Sequence, residues 1–334
     1  MNSVIKKRNT TLDVLRGFAI FYVIFGHIIH IEDVRTFIWA FHMPLFFFIS
    51  GLLFDENNYI GTSDFLKKKA KSILLPYVLF YLMTLLYWIA IERHTRGGDV
   101  SIGSQLLGLV YGTYDMKYMM FNGALWFLPC LFTTQVIYWF LCVIKSKALR
   151  LFAIIVVLLA GLTCEHYGIE LPWGLRTACN AVFFFGIACM WKERFKKIES
   201  LKKCYLSLWF VIGTSLQVIV IPISAYSINR LNFGDFYCYM PIAFIGITTY
   251  YALSSIIKSN NILEWLGINS LVLFAFQEPV YRAVLFASSC LFHIPVENIR
   301  LNFGGAFIVA VISIICIVPL VYMWNKWGVK LTKG

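Results

Sequence analysis

Long apolar runs separated by short, charge-rich connections are the first-order pattern of this chain. Ten runs can be marked off, at residues 12–31, 37–54, 73–91, 123–144, 149–162, 171–191, 205–223, 236–257, 270–292 and 303–324. A helix needs about 20 apolar residues to cross the hydrocarbon core of a bilayer, and most of the runs meet that length. They are too long for barrel strands, and a backbone left unpaired in hydrocarbon costs several kcal/mol per group, so each run is predicted to be a helix. The pattern therefore predicts an all-α, polytopic membrane protein with about ten transmembrane helices. The fifth run is short and the sixth carries Arg176 and Asn180, so these two are the least regular. No repeat or low-complexity segment interrupts the series, and residues 1–334 are expected to form a single integral membrane domain. The longest connection, residues 92–122, contains Gly97-Gly98-Asp99 and Gly112 and is expected to hold a short amphipathic element over a site.

Composition sharpens this reading. The chain is 60% hydrophobic and only 14% charged, where soluble domains carry roughly 25% charge. That excludes a water-soluble fold and makes the lipid bilayer the first partner. The net charge of +12 does not point to nucleic acid, because no separate basic domain exists. Instead the basic residues form clusters between the runs: Lys6, Lys7 and Arg8; Lys67, Lys68, Lys69 and Lys71; Lys145, Lys147 and Arg150; Lys192 to Lys203; Lys258; and Lys326, Lys330 and Lys333. With ten spans and both termini cytoplasmic, every one of these clusters falls on the same side. The other side carries only Arg35, Arg93, Arg96, Lys117, Arg230 and Arg300. The first run lacks a small-residue cleavage site and is expected to be retained as a span. The nine cysteines show no C-x-x-C spacing and read as packing residues.

Ionisable residues within the runs carry the chemistry, since charge at membrane depth is costly. The first run holds Asp13, Arg16, His27 and His30. Arg16 and His27 are eleven residues apart. At about 100° per residue they share one helix face, and at about 1.5 Å per residue they are separated by about 16 Å along it. One stripe thus links a cation near the inner surface to a deep imidazole. His42, in the second run, is nearly symmetric with His27 about the connection at residues 32–36, which is expected to be a short turn. The three imidazoles suit proton transfer; the alternative is packing, each ring satisfied by a carbonyl or hydroxyl. No Asp, Glu or Cys completes a metal set with His27 and His30, so no metal is expected. Arg16 suits a diphosphate through its planar fork, or else pairs with Asp13. In the ninth run Glu278 and Arg282 are spaced for an intrahelical ion pair, as Arg176 and Asn180 are for a polar contact in the sixth.

Several of these segments resemble those of the membrane-bound acyltransferase family 3. Leu12-Asp13-Val14-Leu15-Arg16-Gly17-Phe18-Ala19-Ile20, followed by Gly26-His27, is similar to the family's Arg, ten residues, His pattern in the first span. The segment from Phe41-His42-Met43-Pro44 to Ser50-Gly51 resembles the second-span motif of its sugar O-acetyltransferase branch, close to fucose 4-O-acetylase. Phe65 to Lys71 before Leu74-Leu75-Pro76-Tyr77 resembles the basic-x-x-basic motif, with Lys68 and Lys71 where arginines are common. Gly123-Ala124-Leu125-Trp126-Phe127-Leu128 and Trp265-Leu266-Gly267-Ile268-Asn269-Ser270-Leu271 match segments opening the fourth and ninth spans. Relatives commonly carry a histidine shortly after the latter, where this chain has Gln277 and Glu278.

The resemblance implies a multi-pass protein of the bacterial cytoplasmic or inner membrane. It implies transfer of an acyl group, acetyl foremost, from cytoplasmic acetyl-CoA or another acyl-CoA to a sugar hydroxyl of a surface or lipid-linked glycan. Acyl-CoA is a donor substrate, and no bound cofactor is expected. On that basis His27 and Arg16 are the catalytic candidates, and Arg16, Lys68 and Lys71 the donor-binding ones. His42, Trp126, Gln277 and Glu278 are candidates for the acceptor; Trp126 would stack on a sugar or anchor at the membrane interface. A transporter or flippase of an acyl or glycan-lipid intermediate would use the same buried charges as a pathway.

Overall fold

A computed structural model of the chain describes residues 8–113, 115–220, 228 and 233–333. Lys6, Lys7, Arg230 and the end of the seventh run, residues 221–223, lie outside these. The described residues form helices and no strand, in the order α1 (Thr10–Ile28), α2 (Glu32–Trp39), α3 (His42–Leu53), α4 (Thr62–Lys69), α5 (Leu75–Ala90), α6 (Ile102–Tyr111), α7 (Met116–Met119), α8 (Phe127–Leu141), α9 (Lys147–His166), α10 (Leu175–Ile198), α11 (Lys203–Val220), α12 (Phe233–Ile257), α13 (Asn261–Ile268), α14 (Ser270–Phe292), α15 (Val296–Leu301), α16 (Phe303–Met323) and α17 (Val329–Lys333). Ten segments are long and apolar enough to cross a membrane, and each overlaps one of the ten runs. The protein is thus an all-α, multi-pass membrane protein.

Boundaries differ where local chemistry overrides hydropathy. The connection expected to be a turn at residues 32–36 is helix α2, and the second span runs Glu32–Leu53 with a break at Ala40 and Phe41. The third begins far before residue 73: α4 passes through one wide turn, Ala70–Leu74, straight into α5. The fifth is a full 20-residue helix, Lys147–His166, because Ser146 caps it through Leu149 and its polar ends continue the helix beyond the apolar centre. The sixth extends to Ile198 past a kink at Trp191.

Helix α1 is the axis of the bundle. It packs against α2, α3, α12, α13, α14 and α16, and most of its residues are buried. Its start is capped by Asn9, whose side-chain oxygen accepts from the Leu12 N–H at 3.2 Å. The short helix α13, capped in the same way by Asn260, lies directly on its first half. There the two backbones touch. A Cβ on Gly17 would sit 2.1 Å from the Leu263 carbonyl oxygen, and one on Gly267 would sit 2.0 Å from that of Asp13. Only glycine at both positions permits this crossing, the close approach that small residues give membrane helices. The crossing sets the rotation of α1 and so decides which way Arg16, the neighbour of Gly17, points.

Adding one methyl group at this crossing forces two backbones apart. Gly17→Ala and Gly267→Ala should each cost about 1–3 kcal/mol or more by overpacking. Gly103→Ala, whose new Cβ meets only the flexible Ser101 hydroxyl at 3.4 Å, should be neutral or slightly stabilising. Thermal unfolding of the three purified variants in detergent checks this ordering, and equal midpoints would refute it.

Candidate functional site

Two cavities open at opposite ends of α1. The first has a volume of about 1090 Å³ and lies at the end of the bundle where α1 and α9 begin and α3, α8 and α10 end. Its lining includes seven basic side chains, Arg8, Arg16, Lys147, Arg150, Lys192, Arg194 and Lys196, against four acidic ones, Asp13, Asp55, Glu56 and Glu193. Arg16 is held loosely by Asp13, at 4.0 Å, because Asp13 bonds Arg8 more closely, at 2.5 Å. The Arg16 guanidinium therefore keeps donors for an anion. The neighbouring cations are fixed: Arg150 donates to the carbonyls of Ile144 and Cys142, just past the end of α8, and Lys192 to that of Phe54.

Lys68 and Lys71 stand beside this cavity and do not line it. Lys68 pairs with Asp64 at 2.8 Å and donates to the Asn58 carbonyl at 3.1 Å. Lys71 sits half-buried on the wide turn between α4 and α5.

The second cavity, about 460 Å³, lies at the other end, lined among others by His27, His30, Arg35, Trp39, Arg96, Glu278, Arg282 and Arg300. His27 is half-buried here, its ring 6.3 Å from that of Trp39. The chain can approach so closely because residue 26 is glycine: a Cβ there would meet Ile38 at 2.9 Å and the Trp39 indole nitrogen at 3.4 Å. His42 is buried behind, within electrostatic reach of His27. Its Nδ1 is 2.9 Å from the Ile38 carbonyl oxygen. A carbonyl only accepts, so Nδ1 carries the proton and Nε2 is the ring's free nitrogen. His30 bonds Glu297 at 2.8 Å across the cavity rim, and this contact holds the Glu297 carboxyl below its ordinary pKa.

Arg300 reaches over from α15 and closes the end of α1. Its Nε and Nη2 donate to the carbonyls of Ile28 and His27 at 2.9 and 2.8 Å. This satisfies two orphan carbonyls with a cation, the favoured charge at a helix C-terminus. It also clamps the backbone of His27 itself. Burial lowers the Arg300 pKa from its ordinary value.

The expected Glu278–Arg282 pair forms, at 3.0 Å, and is part of a larger network. Arg282 grips Glu92 with two bonds of 3.1 Å and donates to the Phe121 carbonyl at 2.5 Å. Glu278 accepts from the Gly123 and Ala124 N–H groups at 3.1 and 2.9 Å, a carboxylate at the start of the helical turn that leads into α8. Glu278 is therefore bonded to the protein's own donors while still facing the cavity. Gln277 points elsewhere: it is fully buried, and among the described residues its amide has no partner. Trp126 is only 7% exposed and packs edge-on against Phe127, lining neither cavity. Arg176 pairs with Glu165 and Glu170, not with Asn180, because α9 and the loop before α10 bring those carboxylates within reach.

The structure thus brings His27, His42 and Glu278 together and places Arg16 at the far end of the same helix. The stripe between Arg16 and His27 is closed. Ala19, Ile20, Val23 and Ile24 are at most 1% exposed, so the expected route is filled by side chains in this state. Arg150, Lys192, Glu92, Arg96 and Arg300 were not among the candidates read from sequence. For Arg96 and Arg300 a signal existed: they belong to the few basic residues on the side that charge asymmetry leaves poor in cations.

A buried pair broken on one side leaves an uncompensated charge, which costs about 3–5 kcal/mol. Arg282→Met should therefore lower the thermal unfolding midpoint strongly, whereas Lys68→Met, which removes an exposed pair, should leave it almost unchanged. Similar midpoints for the two variants would contradict the network's structural weight.

A family model described as an acyltransferase domain, that of acyltransferase family 3, matches residues 9–323. No curated protein and no solved structure matches the chain.

Proposed function

Because the chain belongs to acyltransferase family 3, as a membrane acyltransferase, we propose that it moves an acetyl or related acyl group from acyl-CoA in the cytoplasm to a sugar hydroxyl of a surface or lipid-linked glycan. The observation that carries this reading is the pair of cavities on one helix: a cationic one holding Arg16 and a second one holding His27. The basic end of the bundle faces the cytoplasm in this reading, by the usual excess of lysine and arginine on that side. Both termini then lie there as well.

The nucleotide end of acyl-CoA is polyanionic and suits the 1090 Å³ cavity, where Arg16, Arg150 and Lys192 provide cationic donors. Lys68 and Lys71, on the adjoining helices, add to the field that draws the donor in. The slender acyl-pantetheine arm follows the Arg16–His27 stripe once the layer at Ala19, Ile20 and Val23 parts. At the other end His27 takes the proton from the acceptor hydroxyl as its oxygen attacks the thioester carbonyl carbon. The C–S bond breaks, the new C–O ester bond remains, and the proton passes from His27 to the departing thiolate, giving free CoA. His42, behind His27, positions it. Trp126 and Gln277 serve the acceptor only indirectly, through packing.

His27→Ala should reduce acyl transfer by about 10²–10⁴-fold, the usual contribution of a positioned base, while acyl-CoA binding persists. Arg16→Ala should weaken acyl-CoA binding about ten-fold by removing a charge-assisted contact. Purified protein, radiolabelled acetyl-CoA and a glycan acceptor test both. Transfer at the native rate by His27→Ala would sink the catalytic assignment.

A further inference from the structure

The His27 cavity is unusually cationic for its side of the molecule. Four arginines line it, Arg35, Arg96, Arg282 and Arg300, against one carboxylate, Glu278. Three of them, Arg35, Arg96 and Arg300, belong to the handful of basic residues on the cation-poor side of the sequence. Topology alone does not explain why they converge on one cavity.

Their partners show which charges are answered. Arg282 is saturated by Glu92, Glu278 and the Phe121 carbonyl. Arg35 bonds Glu32, and His30 bonds Glu297; both carboxylates are more than half exposed at the rim. Arg96 is 4.0 Å from Glu92, whose two oxygens are already taken by Arg282. Its buried Nη1 has no hydrogen-bond partner among the described residues. Arg300, which also lines the cavity, is held by main-chain carbonyls and has no carboxylate within ion-pair distance among the described residues. The Trp39 indole N–H, on the same wall, is also buried without a described partner. Two buried donors without described acceptors, Arg96 Nη1 and the Trp39 indole N–H, thus line the cavity that holds the imidazole, and burying such groups is costly unless an acceptor arrives.

Resting on the acyltransferase reading, we propose that this cavity selects an acceptor bearing an anionic group, a carboxylate or a phosphate, next to the hydroxyl that is acylated. Arg96 and Arg300 hold the anion, and their spacing around His27 brings the neighbouring hydroxyl to the imidazole. Uronic acids and phosphorylated sugars have this chemistry; neutral sugars do not.

Binding measured without any acyl donor tests this independently of catalysis. The full-length protein in phosphatidylcholine vesicles at low salt is titrated with methyl galacturonide against methyl galactoside, and with a methyl glucoside 6-phosphate against methyl glucoside. At least one acidic sugar should bind about ten-fold tighter than its neutral match, as charge-assisted bonds require. The preference should shrink several-fold in Arg96→Gln and Arg300→Gln and return in part in Arg96→Lys, with thermal unfolding as the check on folding. Equal binding within both pairs, or no binding of either acidic sugar, overturns the proposal. Displacement of the acidic sugar by phosphatidylglycerol added to the vesicles also overturns it, in favour of a lipid-headgroup site. Acetyl transfer to neutral sugars without the preference would defeat this inference alone. The preference without transfer from any acyl-CoA would defeat the enzyme reading and leave an anion-binding site.

Discussion

The backbone contact between α1 and α13 is the constraint on which the rest of this architecture depends. Gly17 lies under the Leu263 carbonyl and Gly267 under that of Asp13, with no room for a Cβ on either. Helices that touch in this way cannot rotate about their axes without a clash. Lipid offers little hydrophobic drive for helix association, so such tight packing is what fixes orientation in a membrane. Once α1 is fixed, Arg16 can only point toward the basic end, and the 3.6-residue periodicity carries the same face to His27 at the other.

That geometry makes α1 a single rigid connection between two chemically different cavities. At one end it presents a guanidinium that Asp13 only partly answers, because Arg8 competes for the same carboxylate. At the other end Arg300 clamps the carbonyls of His27 and Ile28, so the imidazole is carried by a backbone held on both sides. The Glu92–Arg282–Glu278 network performs a similar service for α14 and the start of α8. Polar groups at membrane depth are tolerable when each donor finds an acceptor, and this network is nearly complete. Among the described residues, two buried donors that find no acceptor, on Arg96 and Trp39, sit at the His27 cavity.

The closed layer at Ala19, Ile20, Val23 and Ile24 separates the two cavities. Each cavity is lined by a different set of residues on its own side of that layer.

The sequence by itself determined the class of molecule. Ten apolar runs of bilayer length have one solution, helices, because hydrocarbon offers the backbone no other partner. The Arg16–His27 stripe was equally legible, since helical periodicity is a local property of the chain, and so was the Glu278–Arg282 pair. What only the tertiary structure decided is who meets whom across helices. Spacing showed Glu278 and Arg282 four residues apart, but not Glu92, 190 residues from Arg282. Hydropathy read the segment before the second span as a turn, yet packing of Ile38 and Trp39 on Gly26 makes it helix α2. Trp126, read as a sugar platform or an interfacial anchor, and Gln277, read as an acceptor contact, are both buried in three dimensions. Long-range partners are set by which helix faces are pressed together, and that is a property of the assembled bundle that no local pattern encodes.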